Sequence, residues 1–392
     1  MEKMGSLATA FLVTYMLAAP LFGWLADRMK RWTIIGIGVT LWSLATGACG
    51  LATSFSMLLI CRVFIGVGEA AWGPTAPTII ADLFPIRKRG AVLAWFNIAL
   101  SVGSALGFMI GGFMASTRWG WPSAFFVVTP PGLLLGLWCF FRKDPPRGLS
   151  DQAAARRFRF SDLRLLLRTP SYIFNNLGMT AMTFAVGGMA YWMPTYVHEF
   201  RMGGEVATQA GRDEHAHINF IFGIILVVCG LAGTIAGGYF ADWMRQRLRG
   251  PGIVGRWLGD GSYFSLSGVT MLAAFPLFWM MLHRPFPEAW WYMAGAIFLI
   301  FVNTGPTNTI IANVTPPSIR ASAYAVNILV IHALGDAISP PIIGRIRDQY
   351  NGDMNKGFLL VGFAILLAGV FWILGSRHLR EDTEGAPARL NT

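Results

Sequence analysis

Eleven apolar runs follow one another along this chain, near residues 6–26, 33–53, 57–80, 90–115, 122–141, 172–197, 218–240, 263–282, 289–312, 321–344 and 357–376. Each approaches the roughly 20 apolar residues that a helix needs to cross a bilayer. Only 13% of the 392 residues are charged and 54% are hydrophobic, which excludes a soluble domain of this size. The chain is therefore expected to be an all-α, multi-pass membrane protein.

Charge sets the orientation. The net charge of +11 collects in alternate loops: Arg28, Lys30 and Arg31; Arg87, Lys88 and Arg89; Arg142 through Arg168; Arg245, Arg247 and Arg249; and the tail from Arg377. Cytoplasmic loops carry such an excess, so this basic end is read as the cytoplasmic one and the +11 needs no nucleic-acid partner. The loop 198–217 mixes both signs and is expected to be a solvated outer loop. The first run ends in Asp27-Arg28, without a small-residue cleavage site, and is read as a span rather than a leader. Cys49, Cys61, Cys139 and Cys229 all fall inside apolar runs, with no metal or disulfide spacing, and are read as inert buried thiols.

The third run, RVFIGVGEAAWGPTAPTIIADLFP from Arg62 to Pro85, carries Arg62 and Glu69 inside apolar sequence. A charge at that depth costs roughly 3 kcal/mol on insertion scales, and such residues mark ion or substrate paths. Seven residues separate the two. That puts them on one helix face about 10 Å apart in height, far for a direct ion pair but suited to a shared water, partner or headgroup. A carboxylate in a desolvated site can load and release a proton near neutral pH. A structural charge pair between helices is the alternative. Gly66, Gly68, Ala70, Ala71 and Gly73 allow close helix approach, and Pro74 and Pro77 can loosen the backbone.

The two parts of the chain repeat each other. Gly23-Trp24-Leu25-Ala26-Asp27 matches Gly238-Tyr239-Phe240-Ala241-Asp242. Gly73-Pro74-Thr75, Thr78-Ile79-Ile80-Ala81-Asp82 and Pro85 match Gly305-Pro306-Thr307, Thr309-Ile310-Ile311-Ala312-Asn313 and Pro316. The first turn follows the second span in the later half but the first span in the earlier half, so one span of an expected twelve is read as missing ahead of residue 6. The expected organisation is an N-terminal bundle over 1–141, a cytoplasmic linker over 142–171 with a surface helix after Ser161-Asp162, a six-helix bundle over 172–376 and a cytoplasmic tail over 377–392.

Six-plus-six helices with such turns resemble the major facilitator superfamily of secondary transporters. Gly66-x-Gly68-Glu69-Ala70, Ala76-Pro77-Thr78-Ile79-Ile80-Ala81-Asp82-Leu83-Phe84, Asp144-Pro145-Pro146-Arg147-Gly148, Gly178-Met179-Thr180-Ala181-Met182-Thr183-Phe184 and Trp192-Met193-Pro194 resemble, more narrowly, the spinster family of lysolipid and sphingosine-phosphate transporters. The resemblance implies that Arg62 and Glu69 form the proton-coupling site. The family's first helix, with its acidic partner for that site, has no match here.

Other candidates follow from the residues. Asp27, Arg28, Arg31 and Asp82 are expected to form a gate at the basic end, with Asp82 partnering Arg31 and Asp27 facing the N-terminus of a helix near 319–321; Asp242 with Arg245 would be the weaker copy. A solvated loop is the alternative. His332 and Asp336, four apart on one face, are either a proton relay or a structural hydrogen bond. Asn303, Asn308 and Asn327 either line a cavity or satisfy backbone near Gly305-Pro306. Trp72 and the span carrying Thr183, Phe184 and Trp192 are assigned to an amphiphile's path, with Arg62 at its head; lipid-facing surface is the other reading. No P-loop, GxSxG, HExxH or CxxC motif is present, so no enzyme and no cofactor are expected, and an ion gradient supplies the energy. The expected function is proton-coupled transport of a lysolipid-like amphiphile by alternating access, with protons, the amphiphile and the bilayer as partners, by a monomer in a bacterial inner membrane. The alternatives are an exporter of drugs or organic anions, and an uncoupled scramblase or binding protein.

Overall fold

The computed structural model describes residues 2–115, 119–148, 160–203, 209–250, 252 and 255–386, and these are helical throughout apart from their turns. The first half contains α1 (Glu2–Ala26), α2 (Arg31–Gly50), α3 (Phe55–Glu69), α4 (Ala76–Leu83), α5 (Ile86–Ala115) and α6 (Pro122–Phe140). The second contains α7 (Pro170–Thr195), α8 (Gln209–Arg247), α9 (Ser262–His283), α10 (Ala289–Phe301), α11 (Thr304–Val314), α12 (Arg320–Ile331), α13 (Ser339–Gln349) and α14 (Met354–Gly375), with α15 (Leu379–Gly385) in the tail. Among the described residues, seven helical stretches are long and apolar enough to cross a membrane.

Three apolar runs expected to be single helices are broken. The run 57–80 divides into α3 and α4 across a turn at residues 70–75. Pro74 and Pro77 lack the N–H that would continue the ladder, so the chain turns and restarts with Pro77 in the first turn of α4. The repeat partner 289–312 breaks likewise at Val302–Asn303, ahead of Pro306. The run 321–344 passes through a π-helical turn, His332–Asp336, before α13. The linker's surface helix is a 3-10 helix over Phe160–Arg168, although the side chains of Ser161 and Asp162 and the basic stretch before them lie outside the described residues. The outer loop is shorter than expected, because a π-turn continues α7 through Arg201 and α8 starts at Gln209; the charged side chains of 204–216 are outside the description.

The main core lies in the second half, where α7 packs on α14 and α14 on α9, and Trp372 is fully buried. The first half has smaller clusters, one of them joining Ile35, Val39, Ile79 and Cys139 beneath Trp32, Trp42, Trp72 and Phe96. The halves meet chiefly through α1 with α12 and α5 with α8. Both contacts are backbone-close. A methyl group on Gly23 of α1 would lie 2.8 Å from Ala321 O, and one on Gly238 of α8 would lie 2.7 Å from Gly90 O. Small residues at these crossings let the helices touch, as membrane helix packing requires.

Candidate functional site: a mid-depth carboxylate and a latched basic end

Glu69 is the last residue of α3, placed at the break by the turn that follows it. It shares a recess of about 400 Å³ with Trp32, Trp42, Trp72, Trp138 and Leu135. On its other side it acts electrostatically on Tyr15 of α1. No described residue gives Glu69 or Arg62 a hydrogen bond or ion pair, and the two do not touch. Arg62 lies two turns earlier on α3, within electrostatic reach of Cys49.

Tyr15 connects this site to the second half. Its hydroxyl lies 2.6 Å from where a methyl on Gly73 would sit, and Ile328 of α12 approaches the same glycine at 3.3 Å, so only glycine fits between them. The Tyr15 ring meets the His332 ring edge-on at 5.7 Å. His332 Nδ1 is 2.9 Å from Asp336 Oδ2, and both are partly exposed. Glu69, Tyr15, His332 and Asp336 are thus neighbours drawn from both halves.

The remaining candidates divide. Thr183 donates to Ile331 O at 3.0 Å, beside the π-turn where the helical ladder is widened. Trp192 donates to Pro340 O at 2.9 Å, which pins its ring against α13. Phe184 is half-buried against the main core. Asn303 is fully buried, its amide donating to Ile300 O at 3.0 Å, so it satisfies backbone at the helix break. Asn308 donates to Thr304 O at 2.9 Å. Asn327 is buried and donates to Asn176 of α7 at 2.9 Å, an interhelical pair that joins α7 to α12.

At the basic end the repeat becomes a physical two-fold. Asp27 accepts from the N–H groups of Ala321 (3.0 Å) and Ser322 (2.8 Å) in the first turn of α12, where the helix dipole favours a carboxylate. Asp242 accepts from Ala91 N–H at 3.0 Å in α5 and from the Tyr263 hydroxyl at 2.8 Å. Gly90 and Ala91 stand in the repeat where Ala321 and Ser322 stand. Arg245 makes no ion pair with Asp242; its guanidinium lies over the Tyr263 ring at 5.4 Å. Arg28 covers the Trp24 ring at 4.3 Å.

Asp82 gathers the rest. It accepts from Arg31, from Arg320 of the other half (3.1 Å) and from Gly148 N–H in the linker (3.0 Å). Arg31 also bonds Asp144 at 3.2 Å and Pro145 O at 2.6 Å, while Arg147 donates to Ala26 O and Met29 O. The mirror contact is neutral: Arg89 donates to Asn313 Oδ1 at 3.0 Å. Arg89 and Arg320 each follow their Asp or Asn by seven residues. Sequence reading missed Tyr15, Asn176, Arg89 and Arg320. The two arginines carried a usable signal, because they repeat in register.

The sequence pattern of the Major Facilitator Superfamily matches residues 2–340. The chain is 32% identical to protein spinster homolog 3 of Danio rerio, over 97% of this chain and 79% of that one. It is 29% identical to the sphingosine-1-phosphate transporter SPNS2 of the same organism, over 99% and 79%. Among solved structures, a bacterial homolog of the human lysosomal transporter spinster, inward-facing and unoccupied, shares the fold with a TM-score of 0.57 and 20% identity, covering 97% of this chain and 98% of that one. The E. coli fucose:proton symporter shares it with a TM-score of 0.69 and 15% identity, covering 96% and 91%.

Proposed function

This chain belongs to the spinster family of the Major Facilitator Superfamily, and on that premise we propose that it is a proton-coupled carrier of a single-chain amphiphile with a polar or phosphorylated head, working by alternating access of its two halves. The observation that carries the coupling is Glu69, a carboxylate at a helix break in apolar surroundings, without an ion-pair partner among the described residues. Taking a proton removes the cost of holding that charge out of water, so loading at one face and release at the other can drive a cycle.

Tyr15, His332 and Asp336 extend the site across the interface, so a change of protonation at Glu69 reaches both halves. Arg62, without an ion pair among the described residues, is the head-group anchor; Trp72, Thr183, Phe184, Asn308 and the exposed Tyr191 ring of α7 flank the path of the tail. Asn303, Asn327 and Trp192 act as fixed points of the scaffold. In this reading the basic end is cytoplasmic in an inner membrane, and the network through Asp27, Asp82 and Asp242 is the cytoplasmic gate in its closed form. The bundles run over 1–141 and 172–376, the linker over 142–171 ties onto the gate through Asp144, Arg147 and Gly148, and the carrier works as a monomer. In this reading the second half makes six membrane passages and the first half five of the same repeat, and α7 is the passage without a counterpart among the described residues of the first half.

The test is uptake of a labelled lysolipid into proteoliposomes with and without an imposed pH gradient, for the chain and for Glu69→Gln. Gradient-driven accumulation that the substitution abolishes supports the proposal. Accumulation that survives Glu69→Gln removes the coupling role, and equilibration without accumulation makes the chain a scramblase.

A further inference from the structure

At the basic end of the second half, a cavity of about 650 Å³ opens where the π-turn Gly255–Asp260, the end of α14 and the start of the tail converge. Nothing in the carrier reading uses it. Arg256, Arg377 and Arg380 line it, with Trp257 and Ile373 on its walls and Glu381 beside them. We propose that this cavity binds the phosphodiester headgroup of an anionic phospholipid from the leaflet at the basic end.

The charges favour it. Arg380 is held by Asp260 at 3.4 Å and Glu384 at 3.1 Å, and Asp260 is also bonded to Arg249 at 2.7 Å. Arg256 and Arg377 have no ion pair or hydrogen bond with any described residue, and both are exposed at the cavity. Two unspent guanidiniums beside a third fixed one match the oxygens of a phosphate, which guanidinium groups bind in paired hydrogen bonds. Glu381 argues against a second negative charge on the ligand and so favours a diester over a monoester.

The apolar side favours a lipid over a soluble phosphate. Val370, Ile373, Leu374 and Arg377 recur at the spacing of one helical face on α14 and just past its end. Val370 and Leu374 are 44% and 41% exposed, so an acyl chain on this strip ends at the arginines. Trp257 lines the same cavity, and tryptophan is the side chain enriched at headgroup depth in membrane interfaces. The cavity floor is tightly built, since a methyl on Gly261 would lie 3.0 Å from Ser376 O, so the site is a fixed notch between α9 and α14.

The test is native mass spectrometry of the full chain in detergent with equal phosphatidylglycerol and phosphatidylcholine of the same acyl chains. About fivefold per arginine is expected at a membrane surface, so the chain should retain phosphatidylglycerol over phosphatidylcholine by about 20-fold. Arg256→Gln with Arg377→Gln should bring that ratio close to one. Arg142→Gln with Lys143→Gln, which removes the same charge from exposed positions at the same end, should leave it unchanged. Millimolar glycerol phosphate should not displace the bound lipid. No preference in the parent chain, a preference that survives the double arginine variant, an equal loss in the control variant, or displacement by glycerol phosphate each overturns the proposal. Since none of these readouts involves flux, failure of the carrier reading leaves this result interpretable.

Discussion

Burial against the first turn of α12 pushes the Asp27 carboxyl up to about 7, against the opposing pull of the Ser322 and Ala321 hydrogen bonds and of Arg147. If this contact is the proposed gate, its opening returns water and the group reverts toward the ordinary carboxylate range. The closed form therefore binds the Asp27 proton more tightly than the open form. Linkage then favours the closed gate at low pH, and this contribution is lost as pH rises through about 7. Spectroscopic labels placed across the basic end should report a closed fraction that falls between roughly pH 4 and 7. Asp27→Asn, which keeps an acceptor and cannot ionise, should flatten that profile; an unchanged profile would assign the pH response elsewhere. Asp27 was legible from the sequence because it ends a repeated turn. Tyr15 was not, because a single tyrosine in an apolar run has no spacing to distinguish it, and its meaning comes only from Gly73 and His332 brought beside it by the fold.

Helices α5 and α8 touch through Gly90 and Gly238, and α1 and α12 through Gly23. A valine at Gly238 has no room against the α5 backbone, so Gly238→Val should hold the basic end apart. The expected result is a large loss of flux at unchanged expression; flux that survives Gly238→Val would show that this close crossing is not required. The arginine contacts permit a finer test. Asn313 leaves its amide nitrogen, a buried donor, without a partner among the described residues while its oxygen accepts from Arg89. Asn313→Asp removes that orphan and makes the Arg89 bond ionic, a change worth about 1–3 kcal/mol for a buried charged hydrogen bond. It should raise the thermal midpoint and slow turnover, whereas Asp82→Asn should lower the midpoint by leaving Arg31 and Arg320 short of a counter-ion. A rise in turnover for Asn313→Asp would argue that this contact does not gate the cycle. The broken helices show where sequence reading stops at this scale. Gly73-Pro74 and Gly305-Pro306 announced a disturbance, but whether prolines bend a helix or divide it depends on neighbours that supply the lost backbone partners.

For the molecule as a whole, alternating access requires that the two halves part at the basic end during each cycle. Gly23 and Ala325 lie in contact across the interface. Cysteines at both positions, in a background where Cys49, Cys61, Cys139 and Cys229 are replaced, should form a disulfide after a small outward shift. Flux should stop on oxidation and return on reduction; flux that continues through the cross-linked form would exclude rocking of these halves as the transport step. The two-halved helical architecture and its repeated turns were visible in apolar run length, basic loops and internal repeats, since each is written in neighbouring residues. The bonds that join the halves, such as Arg320 to Asp82, link positions far apart in the chain, and no local pattern encodes which of several buried arginines will reach across.

The repeat at the basic end is not perfect, because one half carries Asp82 where the other carries Asn313. On one side two guanidiniums share a carboxylate that is tied further to the linker, and at the matching place on the other side Arg89 meets an uncharged amide. A door with one strong edge and one weak edge does not lift away evenly. On the carrier proposal it is expected to swing, with the Asn313 edge parting first and the Asp82 edge as the hinge, so the first water from the basic end would enter between α5 and α11.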